Sequence, residues 1–446
     1  MAMPSSANVA AAPFRNVCWL PEFRIHDSIP GVEPVHHAVS QRIYRACQPA
    51  SEESEAMGLQ PAEHGRTPRL AISADRIFDG YRWHDDSVIL IEGGVIQHIA
   101  PRDRSAGDRP TEVMPPGTVL APGFIDLQVN GGGGVLLNDA PTPDAMRAIA
   151  RAHRRYGTTG CLPTLISDTR AKAGAAIAAT KSLAGTDGIL GLHLEGPFIS
   201  RSRPGIHRPD RILSATTDDL DWLGELSAVG SSMVTLAPEC VPAGFVKTLA
   251  ASGIRVSVGH SEADADTLRR AIDDGLSGVT HLFNAMPAMS ARQPGIVGVA
   301  LTDQRLTAGI IVDAIHVDPL VVRAAFAAKD RSNIALVSDA MPTVGTGQDH
   351  FELMGRRIEL RNGRLVSENG TLAGAHLELA SAVKNAVTLV GISLDDALRA
   401  ASLVPARFLG IEPDRGTLSA GARADIVALT AKLDVVATWI AGERAK

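Results

Sequence analysis

The chain has 446 residues, with 43 Lys and Arg against 49 Asp and Glu and a formal net charge of −6. That length suits one large core plus a smaller domain, and the mixed charges and scarce aromatics argue against a nucleic-acid partner. No apolar run of about 18 residues offers a membrane span, the N-terminus lacks the basic and apolar regions of a secretion signal, and the widely spaced Cys18, Cys47, Cys161 and Cys240 fit a reduced cytoplasmic protein better than a disulfide framework.

In chain order, residues 1–66 mix Ala, Pro, Ser and His without a hydrophobic period. They are expected to be a disordered extension or, with Met57 near their end, to lie upstream of the start used in the cell. From residue 67 the texture becomes strand-like, at Arg69–Ser73, Ser87–Glu92 and Gly94–Ile99, with Gly93-Gly94 reading as a hairpin turn. The same texture returns at Gly416–Leu418, Ala424–Leu429 and Leu433–Ile440. Residues 67–120 and 412–446 are therefore expected to form one small β-sandwich domain built from both ends of the chain.

Between them, over 121–411, short apolar runs begin at Gly123, Thr158, Ile189, Met233, Ile254, Gly278, Leu306 and Ile334. Most are separated by helix-like segments, at 143–156, 168–183, 243–252, 263–274 and 319–329. Strands alternating with helices predict an α/β fold, a parallel (β/α)8 TIM barrel.

In such a barrel all strands open on one face, where sites are built. Glu195 ends the third strand, His260 the fifth, His281 the sixth and Asp339 the eighth. One carboxylate and two imidazoles suit a divalent metal with positions left open, the pattern of a catalytic zinc site. Each alone reads equally well as a hydrogen-bonded polar residue at a strand end; all three on one rim do not. Asp339 beside them is suited to take a proton from water and return it to a leaving amine.

Gln128 and Asn130 alternate on the first strand and so both face the barrel interior. Amides are poorer zinc ligands than imidazole and better suited to hydrogen bonding. Gly131–Gly134 either let backbone approach a ligand or form a flexible loop. His193 shares a face with Glu195 and reads as a supporting or packed histidine. His153, in a helical stretch beside Arg154 and Arg155, is expected to be solvated, and Cys161 to be a buried small hydrophobe. Segments Arg203–His207, Asn284–Arg292 and Asp313–His316 look like substrate loops, whose arginine and histidines suit an anion such as phosphate.

Pro122–Asp126 and Gly421–Val427 resemble the amidohydrolase superfamily. More narrowly, Leu192–Phe198, Gly259-His260-Ser261, Thr280–Met286, Val337–Ala340, Asp126–Gly131 and Asn369–Gly374 resemble the N-acetylglucosamine-6-phosphate deacetylase family, from about residue 68 to the C-terminus. The resemblance implies hydrolysis of N-acetylglucosamine 6-phosphate to glucosamine 6-phosphate and acetate, in amino-sugar catabolism. It implies one divalent metal per subunit, zinc, on Glu195, His260 and His281, with Asp339 as general base and then acid. His207 would stabilise the oxyanion. Ile206, Asn284, Ala285, His316, Leu372, Ala373 and Gly374 would contact substrate, and Arg292 would reach the phosphate in a neighbouring subunit, which implies a homodimer. Gln128 and Asn130 replace the His-x-His of many amidohydrolases, which implies a single metal, and Ile206 stands where Thr or Ala is frequent. Two alternatives are another metal-dependent amidohydrolase, such as a cyclic-amide hydrolase or a deaminase, and a catalytically silent scaffold. The Gln-x-Asn pair and the 280–292 loop argue against the first, and the retained ligands with Asp339 against the second.

Overall fold

Eight short strands, buried on both faces, run in parallel: Phe124–Val129 (β1), Thr158–Ile166 (β2), His193–Glu195 (β3), Met233–Leu236 (β4), Arg255–Val258 (β5), Gly278–Val279 (β6), Thr307–Ile310 (β7) and Ile334–Leu336 (β8). Near-continuous apolar runs are what a doubly covered parallel strand requires. The computed structural model describes residues 69–102, 110–412 and 414–445, and the expectation for residues 1–66 lies outside them. Sheet order follows chain order from β1 to β8. The ring closes beyond β8, where the Asp339 N–H donates to the Gln128 carbonyl at 3.0 Å and the Asn130 N–H to the Ala340 carbonyl at 2.9 Å. This is the predicted (β/α)8 barrel.

The five predicted helices form at Pro143–Arg154, Arg170–Lys181, Phe245–Ala251, Ala265–Asp273 and Pro319–Ala328. The first shows why: Thr142 caps it through the Ala145 N–H, Pro143 opens it, and Arg151, His153 and Arg154 complement its C-terminal end.

His153 is not solvated, contrary to expectation. It lies four residues after Ile149 and seven after Met146, on the helix face turned to the core, and is fully buried. Its Nε2 sits 2.9 Å from the Gly131 carbonyl, and burial lowers its pKa to about 4. The glycines after β1 serve this approach rather than flexibility: a Cβ on Gly132 would stand 2.8 Å from His153 Nε2, and one on Gly131 2.5 Å from the Val135 carbonyl.

Segments that precede and follow the barrel in the sequence build the smaller domain. Strands at 69–78, 83–92, 95–101, 111–113, 119–122, 426–429, 435–440 and 443–444 form one sheet, mostly antiparallel, in which 119–122 pairs with 426–429. The Ile96 N–H donates to Ala422 and the Ala424 N–H to Gly94, so the sheet curls back on itself. Inside are Ile72, Ile77, Ile89, Ile91, Leu120, Ile426 and Trp439. Gly416–Leu418 is not a strand; it is a connecting segment whose Leu418 N–H donates to the Asp79 carbonyl at 2.9 Å.

No element is predicted from the sequence for residues 350–375. There, four antiparallel strands follow β8: His350–Leu353, Arg356–Arg361, Arg364–Ser367 and Leu372–Ala375. Phe351, Leu353, Ile358 and Leu365 pack on Ile166, Ile206 and Met341 of the barrel mouth. The last strand is bonded to the chain leaving β8, with the Ala375 N–H on the Asp339 carbonyl at 2.8 Å. No helix among the described residues is long and apolar enough to cross a membrane.

Two glycines separate close approach from helix entropy. Gly132→Ala is expected to destabilise the chain by about 1–3 kcal/mol, because His153 must leave its buried hydrogen bond. Gly174→Ala, where a Cβ meets nothing within 4 Å on a helix, is expected to stabilise it by about 0.5–1 kcal/mol. Urea unfolding of both variants beside the parent checks the opposite signs.

Candidate active site

Glu195 is the last residue of β3, His260 and His281 lie two residues past β5 and β6, and Asp339 lies three past β8. His260, His281 and Asp339 all take left-handed backbone, with φ of 50°, 33° and 50°. Non-glycine residues adopt this region at a cost and cluster there at functional sites.

The side chains converge. Glu195 Oε1 lies 2.9 Å from His281 Nε2 and 3.3 Å from His260 Nε2, and the two imidazole nitrogens are 3.0 Å apart. Donors on one tetrahedral zinc stand about 3.3 Å from each other, given bonds of about 2.0–2.1 Å. The His260 tautomer fits as well. His260 Nδ1 lies 2.8 Å from the Arg203 carbonyl, which can only accept, so Nδ1 carries the hydrogen and Nε2 presents its lone pair. Such a backbone anchor is the usual support of a metal-binding histidine. Burial alone would raise the Glu195 carboxyl, but the adjacent His260 and His281 imidazoles hold it well below its ordinary value. These three residues therefore fit a divalent metal.

His207 is close to the same point: one of its ring nitrogens, a Glu195 carboxylate oxygen and a His260 ring nitrogen all lie within 4.8 Å of one another. Its Nδ1 receives the Ser167 N–H at 3.3 Å and contacts Ser167 Oγ at 2.7 Å. A peptide N–H can only donate, so Nδ1 is the acceptor and Nε2 bears the hydrogen. Burial, then the neighbouring His260, push its pKa down to about 3. His207 is thus a neutral donor, not a lone-pair ligand.

Asp339 Oδ1 accepts from Asn130 Nδ2 at 2.6 Å and Gln128 Nε2 at 3.0 Å. Gln128 Nε2 also donates to Glu195 Oε1 at 3.1 Å. Burial, then the Glu195 charge, raise Asp339 to about 6. Gln128 and Asn130 are accordingly donors to the carboxylates. His193 lies beneath, fully buried, with Nε2 2.8 Å from Thr235 Oγ1 and a pKa that burial lowers to about 4.

A cavity of about 380 Å³ opens above Glu195, His260, His281 and Asp339. Ile206, His207, Asn284, Ala285, His316, Leu372 and Gly374 line it. His316 Nδ1 is held 2.6 Å from Asp313 Oδ2, and the Ile206 carbonyl accepts from Arg356 Nη2 at 2.7 Å. Ala373 does not line it: strand alternation turns its side chain into the apolar cluster with Met341 and Ile358. Arg292 is exposed and outside the cavity. Sequence reasoning missed Ser167, Ile166, Met341 and Thr371. Ser167, directly after β2, carried the same strand-end signal as Glu195; Thr371 depended on the unforeseen sheet.

The sequence pattern of the amidohydrolase family matches residues 119–445. The chain is 40% identical over 339 residues to an N-acetylgalactosamine-6-phosphate deacetylase of Shewanella sp. strain ANA-3, covering 75% of this chain and 85% of that one. It is 40% identical over 345 residues to an N-acetylglucosamine-6-phosphate deacetylase of Bos taurus, covering 73% and 83%. An N-acetyl-D-glucosamine-6-phosphate deacetylase mutant of Mycobacterium smegmatis, solved with N-acetyl-D-glucosamine 6-phosphate, superposes with a TM-score of 0.78 at 30% identity, covering 85% of this chain and 99% of that one.

Removing the carboxylate charge tests the metal fit. Glu195→Gln is expected to bind zinc at least about 10- to 100-fold more weakly, the range that even supporting residues of a metal site command. Titration of the metal-free protein against a competing chelator, beside the parent, measures it.

Proposed function

The chain belongs to the amidohydrolase family, and from that premise we propose that it hydrolyses the acetamide of N-acetylglucosamine 6-phosphate, giving glucosamine 6-phosphate and acetate. The observation that carries this reading is the convergence of Glu195, His260 and His281 on one point, with Asp339 beside it at the floor of the cavity. We place the reaction in the cytoplasm, on the cysteine usage of the sequence, as a step of amino-sugar catabolism.

Glu195, His260 and His281 would hold one divalent metal, zinc, which when bound polarises the amide and acidifies water. The remaining chemistry falls to side chains. Asp339 Oδ1 is occupied by two amide donors, which leaves Oδ2 to accept the proton of the attacking water. A carboxylate whose environment raises it to about 6 can hold that proton and deliver it to the departing amine nitrogen. His207 would donate its Nε2 hydrogen to the carbonyl oxygen as negative charge develops there. Asn284, Ala285 and His316 would take the sugar phosphate, with Leu372 and Gly374 along one wall and Ala373 between them. Arg292, exposed on the loop after β6, would serve the phosphate of a neighbouring subunit in a homodimer.

Gln128 and Asn130 turn N–H groups, not lone pairs, toward the carboxylates. This supports a single metal and disfavours amidohydrolase chemistry that needs two. A scaffold without activity would have no use for the retained ligands and Asp339. A second substrate reading has a specific basis: the Shewanella relative is named for N-acetylgalactosamine 6-phosphate, the C4 epimer.

Acetate release tests the acid–base role. Asp339→Asn should keep its metal yet lose at least about 100-fold in kcat, the lower range for a general acid–base group; full activity would remove Asp339 from that role. Phosphate recognition is checked by comparing substrates. N-acetylglucosamine without phosphate is expected to show kcat/KM lower by at least about 100-fold, the worth of two charge-assisted hydrogen bonds. Equal values would contradict the phosphate site, and a higher kcat/KM for the galacto epimer would favour the second reading.

A further inference from the structure

We propose that Ser167 is a positioning residue that fixes His207 as its Nε2–H tautomer, so that His207 stays a hydrogen-bond donor to the reacting carbonyl instead of becoming a further metal ligand. The assignment rests on the proposed reading of the site for its consequence, but on hydrogen-bond chemistry for its geometry.

The His207 ring lies against His260, with ring centroids 4.4 Å apart, and one of its ring nitrogens lies within 4.8 Å of a Glu195 carboxylate oxygen and of a His260 ring nitrogen. A third imidazole there, with a free lone pair on Nε2, would compete for a coordination position that catalysis needs open. Ser167 prevents this from the other side of the ring. Its N–H, 3.3 Å from Nδ1, can only donate. Its hydroxyl, 2.7 Å from Nδ1, has this nitrogen as its hydrogen-bond partner. Two donors aimed at one nitrogen force the ring hydrogen to the other. Ser167 is almost fully buried, and the space for its hydroxyl exists because residue 196 is glycine: a Cβ there would stand 2.2 Å from Ser167 Oγ.

The test begins on the metal-free parent protein with ¹⁵N-labelled histidine. Long-range ¹H–¹⁵N spectra report ring tautomers directly, and the His207 signals are those lost in His207→Gln. The expected spectrum shows His207 protonated on Nε2; protonation on Nδ1 overturns the proposal whether or not any variant folds. Ser167→Ala, which keeps the backbone N–H but loses the hydroxyl donor, should raise the Nδ1–H population above that of the parent, and Ser167→Thr should restore the parental pattern. In the zinc-loaded enzyme, Ser167→Ala is expected to lower kcat at least about 10-fold with KM little changed, a part of the loss known for deleting an oxyanion donor, since the backbone N–H remains. It should also surrender zinc to a chelator more slowly, because His207 can then ligate. Faster zinc loss together with unchanged tautomers would mark Ser167 as structural only and overturn the proposal. If the parent shows the Nε2–H tautomer but releases no acetate from either sugar phosphate, the substrate reading falls and the tautomer assignment stands.

Discussion

Two carboxylates, Glu195 and Asp339, are buried at the mouth of the barrel within 3.1 Å of one amide nitrogen, Gln128 Nε2. Like charges that lose water side by side repel and are expensive to bury unless each finds a partner. The fold solves this by giving them different partners. Glu195 faces two imidazoles and stays ionised, while Asp339 faces amide dipoles and the Glu195 charge and rises to about 6. Neighbouring acids with divergent affinities for a proton can divide labour, one holding a cation and the other carrying protons. Closure of the barrel sets this up, since the Gln128 carbonyl that accepts the Asp339 N–H belongs to the residue whose side chain bridges the two acids.

A second division concerns the histidines. His260 meets a backbone carbonyl and is left with a lone pair on Nε2; His207 meets a backbone N–H and is left with a hydrogen there. The ring is the same, and its neighbour decides whether it can ligate or donate. The loop between Ser200 and His207 supplies one partner, through Arg203, and the end of β2 the other, through Ser167. That loop is itself pinned by the four-stranded sheet, through Arg356 on the Ile206 carbonyl and Arg208 on the Met354 carbonyl at 3.1 Å. The added sheet therefore helps set the electronic state of His260 as well as the walls of the cavity.

Much of this was legible in the sequence, and for a physical reason. Parallel strands buried on both faces leave unbroken apolar runs, and polar residues at their ends, such as Glu195 and His260, stand out. The alternation of Gln128 and Asn130 followed from strand pleat alone. Other features left weaker traces. His153 looked solvated because Arg154 and Arg155 follow it, although its spacing from Met146 and Ile149 placed it on the inner face. The sheet at 350–375 carries many charges, which masked its alternation, yet Asn362-Gly363 was a usable hairpin signal, both residues being left-handed. His207 was read from its loop only as a substrate-side histidine, and its oxyanion role came by resemblance, because a loop residue's direction is set by tertiary contacts. The left-handed backbone of His260, His281 and Asp339 has only a weak signature, His and Asp being among the non-glycine residues found there more often than others.

The end of β1 places two amide side chains where they bear on both the proposed metal count and the proposed proton transfer. Imidazoles at 128 and 130 could offer lone pairs toward the barrel axis; Gln128 and Asn130 offer N–H groups to Asp339 Oδ1 and Glu195 Oε1 instead. A cation beside those donors would meet positive hydrogens. The same two bonds, at 2.6 and 3.0 Å, commit Asp339 Oδ1 and leave Oδ2 as the free basic oxygen. Asparagine and glutamine here thus do more than lack an imidazole lone pair: by neutral hydrogen bonding they orient the carboxylate which, on the proposed mechanism, acts as the base.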